Sequence, residues 1–344
     1  FLMIRRPPRS THCTSSAASD VYKRQKDFGS RDNRGNWAPH KLLEPAPIWL
    51  FPPKPKKILA WIPAFFFPYN ILFMISSLIY WFLAIPPIET MAVLSWDWII
   101  KILVINMVLA FIWYQGWEIP LYVKRKQSTR FKYNYQFPQD LKKKFFWFRN
   151  QTLDNMARSM LFGVPIWSFL QVLMLWTFSN GYIPWISFFE NSFWFIFMVL
   201  MVPIIHDFHF YCIHRLIHIP FLYKWVHSVH HKSVNPSPWS SLSMHPIEHF
   251  LYFSTVFWHF IIPSNPIIAL YQLHFAGFGA VPGHVGFDKV EISENKTFDT
   301  HAYMHYLHHK YFNVNYGGDG LVPFDRVFGT YHDGSKDYDS KLKS

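Results

Sequence analysis

Histidine is concentrated in one stretch of the chain. Sixteen of the nineteen histidines lie between residues 206 and 309. Most of them form short clusters: His214/His218, His227/His230/His231, His245/His249 and His305/His308/His309. Neutral imidazole is the commonest metal ligand in proteins and suits Fe, Cu, Ni and Zn. Because about ten clustered imidazoles are more than one ion can bind, the sequence predicts a site for two metal ions.

The spacing within the clusters predicts how the histidines are divided between the two metal ions. His214 and His218 are four residues apart, so a helix presents both to one metal. Two further clusters have the spacing His-x-x-His-His: His227/His230/His231 and His305/His308/His309. In each triplet the first and third residues are again four apart, whereas the middle one is rotated by ~100° and can reach a second metal. Two such triplets are difficult to explain as solvated surface segments.

Two histidines outside the triplets, His245 and His284, are further candidates. Pro246 suits the first position of a helix and Glu248 the third, so the segment around His245 has a local structural explanation. We nevertheless expect His245 to be a metal ligand and His249 only to lie near the ligands. His284 stands between two glycines, where the backbone can approach closely, and we predict that it binds metal.

Other residue types narrow the chemistry. Carboxylates commonly orient ligating imidazoles, and Asp207, Glu248 and Asp288 are the candidates here. The sequence has no Glu-x-x-His pair, which excludes the carboxylate-bridged di-iron bundle, and it has no His-Glu-x-x-His, P-loop or dinucleotide motif. Cys13 and Cys212 are the only cysteines, so neither a disulfide framework nor a thiolate metal cage is available.

The composition indicates a membrane protein. Of 344 residues, 51% are hydrophobic, 20% aromatic and only 16% charged, which is too apolar for a soluble domain of this size. The net charge of +12 does not indicate a nucleic-acid partner. The basic residues lie beside apolar runs, where membrane topology and anionic headgroups explain them better.

Apolar runs predict about four transmembrane helices: residues 58–84, with a possible bend at Pro68, 98–122, 160–177, and one that begins near Phe193. The fourth helix continues to His218. About 26 residues at ~1.5 Å each exceed a hydrocarbon core of ~30 Å, so its last two turns should project into the cytoplasm. On them Asp207, Tyr211, His214 and His218 share one face, whereas His209 points elsewhere.

The remaining segments complete the expected fold, an all-α membrane protein with a cytosolic, histidine-rich helical cap. Residues 250–262 and 266–280 predict a helical hairpin that dips into the membrane. The loop 124–149 carries nine basic residues and one acid, so the positive-inside rule places it, the N-terminus and the cap in the cytoplasm.

We expect five regions along the chain. Residues 1–25 resemble translated sequencing-adapter read-through and are expected to be non-native and disordered. Residues 26–57 are an N-terminal cytosolic segment, and residues 58–205 hold the transmembrane helices. Residues 206–334 form the di-metal catalytic region, and 335–344 form a polar tail.

Two classes of function fit a nitrogen-rich two-metal site at a membrane face. The first is O₂-dependent oxidation of a lipid that enters from the bilayer. The alternative is a histidine-rich metal transporter or metal-binding protein without redox catalysis. Transport predicts charged or ligating residues along an intramembrane pathway, yet residues 58–84 and 160–177 contain no Asp, Glu, Lys, Arg or His. We therefore favour the oxidoreductase.

The clusters, in their order and spacing, resemble the fatty acid hydroxylase/sterol desaturase superfamily. The resemblance runs from Asp207 to Thr330 and includes Asn315-Tyr316-Gly317 and the segment from Phe324 to Thr330. It implies two non-haem irons, O₂ as co-substrate, a lipid substrate and an external electron donor. It also implies ten metal ligands: His214, His218, His227, His230, His231, His245, His284, His305, His308 and His309.

The resemblance leaves the reaction and the donor open. Hydroxylases and desaturases share these histidine clusters, so either product is compatible with them. The sequence contains no fused cytochrome b5-like domain, so we expect a separate donor, either cytochrome b5-like or a ferredoxin with its reductase. The paired Gly317-Gly318 and the Leu-Val-Pro run before Phe324 are similar to bacterial members, which favours a bacterial inner membrane.

Overall fold

The computed structural model describes residues 28–293 and 296–335. The expectations for residues 1–25, and for the polar tail beyond residue 335, lie outside the described residues. Within the described ranges the chain is mostly helical, as predicted, with two small antiparallel hairpins that the sequence did not indicate.

Three helices are long and apolar enough to cross a membrane, and a bent pair adds a fourth if it is counted as one span. The bent pair is α1 (Pro55–Phe66) and α2 (Tyr69–Ala84), which meet at 45°. The break falls at residues 67–68, because Pro68 cannot supply a backbone N–H within a helix. The three long helices are α3 (Trp96–Val123), α4 (Gln151–Ser179) and α5 (Ser192–Ile217).

Helix α5 carries the first histidine cluster. It begins at Ser192, directly after Asn191, whose side chain accepts from the N–H of Trp194, and it continues for 26 residues with Pro203 inside it. These bounds agree with the predicted continuous helix. Its buried surface includes Tyr211 and His214 near the C-terminal end, so the helix delivers histidine to the interior of the protein.

Short helices follow α5 and place the second and third clusters. They are α6 (Pro220–Leu222), α7 (Ser228–His231), α8 (Pro246–Phe253) and α9 (Trp258–Ile261). Helix α10 (Pro266–His284) returns through the centre of the fold, packing against α2, α4 and α5, and ends at His284. Gly277 permits close packing there, because a Cβ at this position would lie 2.6 Å from the Trp167 ring. Helices α8 to α10 match the predicted hairpin.

The last cluster lies on α11 (Tyr303–Tyr311), which is followed by α12 (Phe324–Val327). Strands β1 (Gly29–Arg31) and β2 (Trp37–Pro39) form one hairpin, and β3 (Lys289–Ser293) and β4 (Lys296–Asp299) form the other. The N–H of Trp37 donates to the carbonyl of Tyr133, whose own N–H donates to Gly286. The N-terminal hairpin thus packs on the histidine region through the loop after α3.

Candidate metal centre

Nine histidines converge into two groups of imidazole nitrogens. Within each group the potential ligand atoms all lie within 4.8 Å of one another. The first group has five members: His214, His218, His227, His231 and His308. The second has four: His230, His284, His305 and His309. Helices α5, α7, α10 and α11 each contribute at least one of these side chains, so the site exists only in the folded bundle.

The nitrogen separations match those of ligands around a metal ion. In the first group, Nε2 of His227 lies 3.1 Å from that of His214 and 3.0 Å from that of His231. The Nε2 of His308 lies 3.1 Å from that of His231 and 3.2 Å from that of His218. Two nitrogens ~2.1 Å from one ion and at right angles to each other lie ~3.0 Å apart. The five nitrogens therefore fit the vertices of one coordination polyhedron, with these separations as its edges.

The second group has the same geometry. The Nε2 of His284 lies 3.2 Å from that of His230 and 2.7 Å from that of His305. The Nε2 of His309 lies 3.1 Å from that of His305. Four nitrogens from α7, α10 and α11 thus surround a second position.

The two triplets are interleaved between the groups. His227 and His231 belong to the first group, and His230 between them belongs to the second. In α11 the order is reversed, because His308 joins the first group while the outer two histidines join the second. The 3.6-residue helical repeat explains this division, since residues four apart share a face and the intervening one is rotated away.

Hydrogen bonds at Nδ1 direct the Nε2 atoms toward the two centres. The Nδ1–H of His214 can donate to the carbonyl of Tyr316, and that of His308 to the carbonyl of Val314, both at 2.6 Å. His284 lies 2.9 Å from the Ala280 carbonyl through its Nδ1. A proton held at Nδ1 leaves the Nε2 lone pair free to bind metal. Converging lone pairs repel one another unless a cation lies between them, so these residues fit metal ions.

Glu248, one of the carboxylates that the sequence suggested, contacts a histidine of the first group. Its Oε1 lies 2.7 Å from Nδ1 of His227, and both side chains are buried. For His231 and His309, no partner of Nδ1 is found among residues 28–293 and 296–335.

A loop that the sequence did not identify as functional supplies two of the orienting carbonyls. Asp325 on α12 holds this loop: its Oδ1 accepts from the N–H of Tyr316 at 2.8 Å, and its Oδ2 accepts from that of Gly317 at 2.7 Å. The hydroxyl of Thr330 donates to the same carboxylate at 2.6 Å. These residues belong to the motifs that carry the family resemblance, but a carbonyl acceptor has no side-chain signature of its own.

Burial keeps the imidazoles neutral. Eight of the nine are at most 6% exposed, and His218 is the exception. Desolvation, followed by the neighbouring histidines, holds the pKa of His309 well below its usual value. Desolvation also lowers the pKa of His284, to about 4. Neutral imidazole is the form that binds metal, so the site is ready for ligation near neutral pH.

The structure places His245 outside both groups. Its Nδ1 accepts from the N–H of Ile247 at the start of α8, where Pro246 occupies the first helical position. The His245 side chain therefore caps the start of α8, which is the structural role that the sequence had offered as an alternative to metal binding. His249, expected only near the ligands, contacts the Leu242 carbonyl through Nε2 at 2.9 Å.

Two predicted carboxylates do not contact the histidine groups. Asp207 accepts from the N–H of Val322, and Asp288 accepts from Trp37 Nε1 and the Tyr133 hydroxyl. Both stabilise segments around the site rather than its imidazoles. His209 also lies outside both groups, as expected, with Nε2 2.8 Å from the Leu251 carbonyl.

A cavity of about 1170 Å³ opens onto the candidate metal centre. Members of both groups line it: His214, His227, His230, His284 and His305. Its other walls carry aromatic side chains from the apolar helices, including Trp61, Phe65, Phe73, Phe210 and Phe275. A large, mostly apolar space thus connects the membrane helices with the imidazoles.

Comparisons with known proteins agree with this geometry. The Fatty acid hydroxylase family matches residues 197–330. The chain is 30% identical over 189 residues to a Delta(7)-sterol 5(6)-desaturase of Aspergillus fumigatus, covering 53% of this chain and 51% of that protein. It is 34% identical over 124 residues to the Delta(7)-sterol 5(6)-desaturase of Saccharomyces cerevisiae, covering 35% of this chain and 32% of that protein.

The chain spans about half the length, or less, of the curated relatives it matches. No solved structure matches it. The family match nevertheless includes the grouped histidines of all four contributing helices, α5, α7, α10 and α11. Residues 197–330 of this integral membrane protein thus match the fatty acid hydroxylase family, and the chain is similar to sterol desaturases.

Proposed function

We propose that the protein is a di-iron oxidoreductase that uses O₂ to hydroxylate or desaturate a membrane lipid. The observation that carries the proposal is the opening of one large apolar cavity onto two interleaved groups of buried Nε2 atoms. A storage or transport site needs the nitrogens but has no use for a lipid-sized cavity beside them.

Iron is the proposed metal at both positions. Five histidines would hold one ion and four the other, and we no longer include His245 among the ligands. When bound, the two irons would supply the redox chemistry that activates O₂. The protein contributes neutral imidazoles, fixes their tautomers through carbonyls and Glu248, and keeps bulk water away from the centre by burial.

The proposed substrate is a fatty acyl chain or a sterol-like lipid. A cavity of about 1170 Å³ exceeds the ~300–1,000 Å³ typical of small-molecule sites. Its aromatic walls on α1, α2 and α10 favour an apolar body, and α1 and α2 adjoin the bilayer in the proposed arrangement. The sterol desaturase names of the relatives support a sterol-like lipid, and the family name supports an acyl chain.

The proposed orientation places the histidines in the cytoplasm, at a bacterial inner membrane. Hydrogen bonds tie the basic loop after α3 to the histidine region: Asn235 donates to the carbonyl of Gln136, and Lys132 donates to the side chain of Asn235. The loop and the metal centre therefore lie on the same side, which the positive-inside rule assigns to the cytoplasm. A separate cytochrome b5-like protein, or a ferredoxin with its reductase, would deliver electrons there.

The test compares lipids from cells that express the wild-type chain, His308→Ala or His209→Ala, grown with and without O₂. His308 belongs to the first group, whereas His209 lies outside both and serves as the matched control. We expect a lipid that has gained an oxygen atom or lost two hydrogens, formed only with O₂ and absent from His308→Ala. Iron-loaded wild-type membranes that form no such product would contradict the proposal.

A further inference from the structure

A second cavity, of about 450 Å³, lies where α3 ends and α4 begins. Its walls include Glu118 from α3, Thr152 and Leu153 from α4, and Gln139 and Arg125 from the connecting loop. None of the nine grouped histidines lines it. The metal centre therefore does not account for this site.

Two buried oxygen atoms at this cavity, Glu118 Oε2 and Gln139 Oε1, accept from no N–H group among the residues that the structure describes, and the Thr152 hydroxyl beside Glu118 can donate to that carboxylate while its own lone pairs stay free to accept. Glu118 is only 2% exposed. The Nε2–H of Gln139 donates to Glu118 Oε1 at 2.7 Å, which fixes the amide orientation and leaves its carbonyl oxygen free to accept. Buried acceptors without donors are unfavourable, so this arrangement favours a ligand that brings donors.

Lys132, a buried cation that lies over a ring lining this cavity, does not supply these donors. Lys132 is fully buried, donates to Asn235 Oδ1 at 3.2 Å, and lies over the rings of Tyr122, Phe137 and Phe287. Within the described residues it makes no ion pair with Glu118. Its ammonium group therefore leaves the Oε2 atom of Glu118 without an N–H donor.

We propose that this cavity binds the headgroup of an aminophospholipid with a primary ammonium group, such as phosphatidylethanolamine. A –NH₃⁺ group has three N–H donors that the oxygens of Glu118, Gln139 and Thr152 can accept, and its charge complements the Glu118 carboxylate. The adjoining phosphate would contact Arg125, which donates one N–H to Asp140 and has further donors on its guanidinium group.

The surroundings are those of a membrane interface. Glu118 lies one turn before the end of a spanning helix, and Thr152 lies in the first turn of the next one. Two exposed aromatics, Trp147 and Phe148, immediately precede α4 and are followed by Arg149. Aromatic and basic residues at the end of a spanning helix are typical of the headgroup region. Exposed Leu153, at 44%, offers an apolar surface to an acyl chain.

The test measures lipid binding to the full-length protein in phosphatidylcholine nanodiscs by native mass spectrometry. Added phosphatidylethanolamine is compared with its N,N-dimethyl derivative and with phosphatidylglycerol. Methylation removes N–H donors while keeping the phosphate, so affinity should fall along that series, by about tenfold or more between phosphatidylethanolamine and phosphatidylcholine. Phosphatidylglycerol should bind more weakly than phosphatidylethanolamine.

Glu118→Gln should abolish the preference for phosphatidylethanolamine, and exposed Glu89→Gln is the matched control that should retain it. If Glu118→Gln does not fold, Thr152→Val tests the same contact and should reduce the preference. Equal binding of phosphatidylethanolamine and phosphatidylcholine would overturn the proposal. So would equal binding of phosphatidylglycerol, or stabilisation by ammonium chloride alone to the same extent, since these results indicate a phosphate-only or an inorganic-cation site.

Discussion

Replacing Asp325 by Asn should weaken one metal position and spare the other. Asp325 is 6% exposed, and its two oxygens accept from two backbone N–H groups and from the Thr330 hydroxyl. An amide replaces one oxygen with an NH₂ group, which cannot accept the N–H of Gly317. The loss of one hydrogen bond to a charged acceptor costs about 1.5–3 kcal/mol, which is enough to release the loop that the carboxylate holds.

That loop carries the carbonyls of Val314 and Tyr316, which orient His308 and His214. Both histidines belong to the first group, so its iron affinity should fall ~10–100-fold, the usual effect of losing an orienting partner. Anaerobic titration with Fe(II) should then show one weakened and one unchanged class of site. Exposed Asp97→Asn is the control. Equal weakening of both classes, or of neither, would refute the reasoning.

Three further predictions follow from the same geometry. His230→Ala and His231→Ala should each remove about one iron per chain, and from different positions, whereas His209→Ala should retain both irons. Elemental analysis with iron spectroscopy measures this, and identical spectra of the His230→Ala and His231→Ala variants would contradict it. Glu248→Leu should lower the affinity of the first position ~10–100-fold in an Fe(II) titration, because the hydrogen-bond partner of His227 Nδ1 is lost; unchanged affinity would count against that role. The metal-free protein should lose stability as the pH falls from 6.5 to about 4. The histidines of the unfolded chain take up protons over this range, whereas burial lowers the pKa of His284 in the folded protein to about 4. Thermal unfolding that is independent of pH over this range would contradict this prediction.

Helical periodicity made much of the centre predictable. The i,i+4 rule anticipated the division of each triplet, and the long apolar run anticipated the length of α5. The bend between α1 and α2 follows from Pro68. These features depend on local sequence, which is available without a structure.

The other features depend on tertiary contacts. His245 was indistinguishable in sequence from a ligand, yet its side chain accepts the Ile247 N–H at the start of α8. Asp207 and Asp288 have the chemistry of orienting carboxylates, but they contact Val322, Trp37 and Tyr133. The orienting carbonyls could not be found from sequence because every residue has a carbonyl group, and only the fold decides which ones face an imidazole.

The most direct test of the two-metal centre is an iron anomalous difference map from crystals of the iron-loaded protein. We expect two peaks, one among the Nε2 atoms of His214, His218, His227, His231 and His308, and one among those of His230, His284, His305 and His309. A single peak shared by the two groups, or iron bound only elsewhere, would contradict the account.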